Sequence, residues 1–258
     1  MPSFFIRKIM LMETLILIVA MLLVLKNVNW ARSSAVGHSN RALVIACEDE
    51  LSKLTEEQRK YIENDLGFHI RICGVGKVNA ALCAMWLRMC GIDTIVNVGT
   101  AGSHIYGKGT LVIPNQAAQR DMDATDIMRQ FIPDYPKHRT PFEESIFKKI
   151  DLTHWVIPDD VRVVVGSDEN PVTCWTGDNT HAYTEKSDIM DGAVIEMEGY
   201  SFAKLSINEH RKGTFQQKTL LIKCISDDGD ENVGEQWAEN ADGIPWDDVI
   251  SILDANYN

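Results

Sequence analysis

The chain has 258 residues, 45% hydrophobic and 24% charged, a size and balance that suit one globular domain with a sizeable core. Its formal net charge is −12, from 37 acidic against 25 basic side chains. So acidic a chain gains nothing from counterion release on DNA or RNA, so no nucleic-acid partner is expected, and the charge serves solubility.

The first 35 residues read as a targeting segment. Arg7 and Lys8 precede the uncharged run Leu15–Leu25, and Asn27–Ser34 then turns polar. A basic start, a short apolar core and a small-residue exit are the pattern of a secretory signal. Ala31-Arg32-Ser33 and Ser33-Ser34-Ala35 offer small residues for cleavage. An uncleaved anchor is the alternative; the run is short of the ~20 apolar residues of a membrane span. Either reading exports the domain that follows, here taken as residues 41–258. Membrane contact is expected only through this segment, if it stays attached.

From Arg41 onward short apolar runs alternate with amphipathic stretches. Ala42–Cys47 predicts a buried strand. Thr55-Glu-Glu-Gln58 is a capping box that opens a helix ending near Gly67. Phe68–Cys73 predicts a strand, Lys77–Cys90 a helix, and Thr94–Val98 and Thr110–Ile113 two more strands. Asp126–Asp160, with four prolines, reads as a long excursion around one or two short helices. Val161–Val165 predicts a strand, Val194–Met197 the end of another, Glu198–Ile207 a helix, Thr219–Ile225 a strand and Trp246–Leu253 a terminal helix. Such alternation implies an α/β fold: a single three-layer αβα domain around a central mixed, largely parallel sheet, with ligands bound beyond the carboxyl ends of the strands.

Cysteine use points to no metal. None of the six cysteines sits in a CxxC pair, and no Cys/His cluster has zinc spacing. Most are expected to be buried thiols, with disulfides left open by the export signal.

Four strand exits carry candidate chemistry. Gly74-Val-Gly76-Lys77 opens a helix, but lacks the third glycine of a dinucleotide fingerprint and the spacing of a P-loop. Asn97-Val-Gly-Thr-Ala-Gly102 lets a ligand approach backbone, and Thr100 offers a hydroxyl and an amide. Glu196-Met197-Glu198-Gly199 sets two carboxylates where a strand meets a helix. In a strand they share a side, and a carboxylate suits a vicinal diol; a solvated acidic helix start is the plainer alternative. Ser226-Asp227-Asp228 closes the apolar run Leu220–Ile225. A carboxyl there is partly desolvated and becomes a usable acid near neutral pH, or else forms a simple Asx turn.

In this order the motifs resemble the family of 5′-methylthioadenosine/S-adenosylhomocysteine nucleosidases and purine nucleoside phosphorylases. The matching segments are Ile45–Glu50, Gly74–Ala81, Asn97–Gly102, Asp121–Thr125, Thr176–Asp178, Val194–Glu198 and Cys224–Asp227, and with their surroundings they span about Ala42 to Leu253. The resemblance implies that Asp227 protonates purine N7 and that Ser226 orients it. It implies that Glu198 takes the ribose diol with Met197 against the sugar, that Glu50 positions an attacking water, and that Thr100 stands near that nucleophile. Glu196, Lys223 and Gly102 complete the expected substrate-binding set. The family's phosphorylases carry an arginine just before the Gly-Ser/Thr turn, where this chain has Asn97-Val98, so hydrolysis of a purine nucleoside is favoured over phosphorolysis. No cofactor is implied, and a homodimer or larger homo-oligomer is.

Three departures stand out. Lys223 replaces the usual arginine, keeping the charge but losing the fork. No Phe follows Thr176 to stack on the base, a place that Trp175, His181 or Tyr183 could fill. An export signal is unusual for this family. They motivate a reading from another class: a non-catalytic nucleoside-binding or storage protein.

Overall fold

The computed structural model describes residues 39–179, 193–206 and 217–258. Its strands are β1 (Arg41–Ile45), β2 (Phe68–Ile72), β3 (Thr94–Gly102), β4 (Leu111–Ile113), β5 (Gln116–Gln119), β6 (Lys148–Lys149), β7 (Val163–Val165), β8 (Thr173–Thr176), β9 (Ala193–Glu196) and β10 (Lys218–Asp227). The helices are α1 (Glu56–Lys60), which runs on as a π turn over Tyr61–Asp65, α2 (Lys77–Met89), α3 (Thr125–Met128), α4 (Gly199–Ser206), α5 (Val233–Asn240) and α6 (Trp246–Tyr257).

β1 shows why the sheet must be covered on both sides. Successive strand residues point to opposite faces. Leu43 and Ile45 pack with Val96, Val98, Leu220 and Ile222 beneath α6. Ala42 and Val44 turn the other way, to Ala80, Ala84 and Leu87 of α2 and to Phe202 and Ala203 of α4. Two apolar faces per strand require helices above and below, which gives the expected three layers.

Among the described residues the ten strands form one mixed sheet, in the order β6-β5-β8-β9-β3-β10-β4-β7, with β1 and β2 branching from β3. β1 pairs β2 and β3 in parallel, β10 pairs β3 in parallel, and β8 lies parallel to β5 and β9. β9 meets β3 antiparallel only at Gly102↔Ile195, and β4 meets β10 antiparallel. β3 is the pivot. β1 covers one edge from Thr94 to Asn97, β9 touches the same edge at Gly102, and the stretch between is left for side chains to occupy. β10 runs along the other edge and slips by one residue between Ile225 and Asp227.

Most of the expected elements are present. The Thr55 capping box forms as read, with Gln58 N–H donating to Thr55 Oγ1 and Thr55 N–H donating to Gln58 Oε1. The excursion after Asp126 holds the short α3 and then β6. Four elements were not anticipated, among them β6, a strand inside the excursion read as holding only short helices. β5 (Gln-Ala-Ala-Gln) and β8 (Thr-Cys-Trp-Thr) are short and become strands by pairing with each other, and α5 starts without a side-chain cap. β9 ends at Glu196, one residue before the expected Met197, and α4 begins at Gly199 rather than Glu198. The cysteines need a correction. All six are free thiols, but only Cys174 and Cys224 are buried; Cys47, Cys73, Cys83 and Cys90 are half-buried.

Candidate active site

A cavity of about 530 Å³ opens beyond the carboxyl ends of β3, β9 and β10, where a doubly wound sheet binds its ligands. Its walls carry six carboxylates, from Glu50, Glu196, Glu198, Asp227, Asp230 and Glu231. Apolar surface comes from Ala46, Val75, Ala101, Ile195, Met197 and Val233, with Cys47 and Trp237 beside them.

Glu50 sits on a short 3₁₀ turn, Asp49–Leu51, that follows β1. Its side chain fills the open edge of β3. Oε1 accepts from Thr100 N at 2.6 Å and from Thr100 Oγ1 at 2.8 Å, and Oε2 accepts from Ala46 N at 3.1 Å. The hydroxyl and amide of Thr100 are thus both used, on a protein carboxylate. Asn97, three residues earlier in β3, is buried and donates to Val44 O at 3.1 Å, tying β3 to β1.

Asp227 ends β10. Oδ2 accepts from Ser226 Oγ at 2.8 Å, and Oδ1 accepts from Gly229 N at 3.0 Å. Burial lifts its carboxyl above the ordinary aspartate value, against the lowering effect of those two donors. Gly102 is its partner across the sheet, and its role is steric. A Cβ there would lie 2.3 Å from Asp227 Oδ1 and 3.1 Å from Gly229 Cα.

The two glutamates after β9 diverge. Glu196 turns inward: Oε2 accepts from Glu198 N at 3.0 Å, from Gly199 N at 2.7 Å and from Lys223 Nζ at 2.7 Å, while Oε1 accepts from Thr176 Oγ1. It therefore caps the start of α4 and neutralises a buried ammonium. Burial raises its carboxyl, and the Lys223 charge together with the hydrogen bonds from Lys223, Thr176 and the Glu198 N–H more than offsets that, holding it below the ordinary range. Glu198 crosses to the start of α2, where Oε1 accepts from Gly76 N at 2.8 Å. Gly76 presents that N–H from a φ of +98°, a conformation that favours glycine. Burial and the neighbouring Glu196 carboxylate push Glu198 up to about 7. The expectation that the pair shares one strand face is corrected: β9 stops at Glu196, and the chain bends before Glu198.

The remaining expectations sort by position. Ser226, Met197, Thr100 and Gly102 line the cavity. Lys223 does not; its ammonium is fully buried beneath, on Glu196, so it acts on the cavity through that carboxylate and through the pull of its charge on Glu198. Trp175 is likewise absent from the lining and packs edge-on against His138 and Phe147. His181 and Tyr183 lie outside the described residues. Among the described residues no group of three or more His, Cys, Asp or Glu side chains could hold a metal ion.

Sequence reasoning missed several wall residues. Arg120 reaches the cavity from just beyond β5 and donates to Gly177 O at 3.2 Å and to Asn179. Trp237 comes from the unanticipated α5, and its indole N–H donates to Thr100 Oγ1 at 2.9 Å. Neither belongs to a motif; only the fold brings them here.

Fold and site together define a mixed-sheet α/β protein with a carboxylate-lined small-molecule cavity at its strand ends. Residues 40–244 match the family model of the Phosphorylase superfamily, and the chain belongs to that family. The chain is 28% identical over 180 residues to the 5′-methylthioadenosine/S-adenosylhomocysteine nucleosidase of Buchnera aphidicola subsp. Acyrthosiphon pisum (strain APS), covering 67% of this chain and 72% of that one. It is 29% identical over 196 residues to the nucleosidase of the same name from Maridesulfovibrio salexigens, covering 70% and 79%. In fold it resembles the Helicobacter pylori 5′-methylthioadenosine/S-adenosylhomocysteine nucleosidase solved with butyl-thio-DADMe-Immucillin-A. That match has a TM-score of 0.63 at 16% identity, over 84% of this chain and 99% of that one. The futalosine hydrolase of the same organism matches with a TM-score of 0.64 at 18% identity, over 84% and 99%.

Proposed function

We propose that this protein hydrolyses the N-glycosidic bond of a purine nucleoside, giving free base and free sugar. The observation that carries the reading is the placement of two buried carboxyls in one cavity. Asp227 is held by Ser226 and Gly229 with a raised proton affinity, and Glu50 is held by Thr100 and Ala46.

Each has a role in the bond cleavage. Protonated Asp227 donates to purine N7, and the C1′–N9 pair of electrons leaves with the base, which departs neutral. The ribose becomes oxocarbenium-like, and nearby carboxylates stabilise its positive charge. Glu50 Oε2 accepts one backbone N–H and keeps a lone pair open. It takes a proton from water as the water oxygen bonds C1′. Glu198 accepts from the ribose diol, and Met197 packs on the sugar.

Water is favoured over phosphate by charge. Among the described residues Arg120 is the one cation in the lining, and its guanidinium already binds Gly177 O and Asn179. A phosphate dianion would face six carboxylates without a dedicated Arg fork. The relatives named as nucleosidases support the same choice.

The test is to incubate the purified protein with adenosine, inosine, methylthioadenosine and S-adenosylhomocysteine, with and without phosphate, and to separate base from sugar product. Free base plus free sugar regardless of phosphate is expected. Ribose 1-phosphate formed only with phosphate would make it a phosphorylase, and binding without turnover would make it a storage protein.

Export and self-association belong to the same proposal. The basic-then-apolar N-terminus supports export, checked by cell fractionation. Val78, Leu82, Met85, Trp86 and Met89 stand exposed at helical spacing along α2, a stripe that suits a second copy of the chain. Sedimentation velocity reads the oligomer directly.

A further inference from the structure

The indole of Trp237 has a donor bond that no packing role requires. α5 has no buried residue, and two side chains tether it. Gln236 Oε1 accepts from Asp228 N at 2.8 Å, and Trp237 Nε1 donates to Thr100 Oγ1 at 2.9 Å. The second tether ends on the residue that holds Glu50.

The direction of every hydrogen in this chain is forced. An indole N–H only donates, and an ionised carboxylate only accepts. Thr100 Oγ1 stands between them, 2.9 Å from the indole and 2.8 Å from Glu50 Oε1. Trp237 therefore occupies a hydroxyl lone pair and turns the single Thr100 O–H onto Glu50. With Thr100 N–H also on Oε1 at 2.6 Å, that oxygen is fully engaged. The open lone pair of Glu50 is then on Oε2, which accepts only the Ala46 N–H, in a residue that lines the cavity.

We propose that Trp237 is a positioning residue for hydrolysis: its N–H fixes the Thr100 hydroxyl on Glu50 Oε1, so that Glu50 presents Oε2 to the attacking water. This rests on the hydrolytic reading above. Hydrogen-bonded chains strengthen one another in a low-dielectric site, so loss of the first donor weakens the second bond. Without the indole N–H, the Thr100 hydroxyl turns freely between Glu50 and cavity water, and the carboxylate loses its fixed orientation.

The conservative variant separates this role from packing. Trp237→Phe keeps an aromatic ring in the cavity wall and removes the N–H. The expected result is a kcat lower by roughly 10- to 100-fold with KM within about two-fold, because a misoriented base is felt in the transition state and not in binding. Trp237→Ala should raise KM as well, through lost contact area. Thr100→Val removes the same relay, so the Trp237→Phe/Thr100→Val double variant should be no slower than Thr100→Val alone. A Trp237→Phe enzyme with native kcat, or additive losses in the double variant, overturns the proposal.

A second measurement does not need turnover. In protein labelled with ¹⁵N-indole tryptophan, the Trp237 N–H signal is the one absent from Trp237→Phe. Thr100→Val should move it upfield, as expected for a lost hydrogen bond. An unmoved signal overturns the proposal even if the native enzyme is fully active. A native protein that cleaves no nucleoside sinks the hydrolytic reading, and this signal then decides the Trp237–Thr100 bond on its own.

Discussion

Lys223 Nζ lies 2.7 Å from Glu196 Oε2, and the two side chains have exposures of 0% and 1%. Burial works against the Lys223 ammonium, and the carboxylates of Glu196 and Glu198 overcome it, raising its proton affinity above that of a free lysine. Removing one partner leaves the other charge buried alone. Lys223→Met should therefore cost about 3–5 kcal/mol of stability, read as a lower urea midpoint. Lys223→Met/Glu196→Gln should recover most of that loss, because no lone charge remains. If the double variant is as unstable as the single, the pair is not what holds this layer together.

The acid at the end of β10 is tested through its neighbour as well as directly. Asp227→Asn should lower kcat by roughly 10²- to 10⁴-fold, the range for a positioned general acid. Gly102→Ala attacks the same group without changing it. The new Cβ would lie 2.3 Å from Asp227 Oδ1, so the carboxyl must move off the base. Turnover should fall by about 10²-fold, as displacement of a catalytic group by about 1 Å does. A Gly102→Ala enzyme with native kcat would mean that Asp227 is not where the proton leaves.

The Thr55 capping box is a control distant in role from the chemistry. Thr55 Oγ1 accepts from Gln58 N at 3.2 Å on an exposed turn. Thr55→Ala should lose about 1 kcal/mol of stability and leave kcat and KM unchanged. A change in turnover would show that α1 is coupled to Glu50, which follows β1 into the cavity.

The layers of the fold were legible because burial writes a period into the chain. The alternation of Ala42, Leu43, Val44 and Ile45 predicts a strand covered on both faces, and that is its packing. β5 escaped because Gln-Ala-Ala-Gln has no β-branched residue; pairing with β8 makes it a strand. At the site, Glu50, Thr100, Glu198 and Asp227 sit in motifs at strand ends, where local sequence decides position. Trp237 and Arg120 sit in no motif and reach the cavity through long-range packing, which no local pattern encodes. Lys223 was misplaced for a related reason. Its charge was readable, but the direction of its side chain depends on which face of β10 meets Glu196.

Glu198 supplies the pH dependence. Its carboxyl is raised from the ordinary value of 4.5 to about 7 by burial and by the Glu196 charge, against the pull of Lys223 and the Gly76 N–H. Between those two values the folded protein holds a proton that the unfolded chain has released. Its contribution to stability is therefore fully present below 4.5 and is lost as pH rises through about 7. Urea midpoints should fall over that window in the native protein, and the Glu198→Gln variant should lack this part of the fall. Substrate binding runs the other way. The diol needs an ionised acceptor, so loss of the Glu198 proton favours kcat/KM as pH rises. Departure of the base needs protonated Asp227, whose carboxyl burial raises, so loss of that proton opposes the gain, and the two requirements give a bell that belongs to the pair. Glu198→Gln should abolish the acidic limb and keep the basic one. A bell that survives intact in Glu198→Gln would assign the acidic limb to another group in the cavity and remove Glu198 from diol recognition.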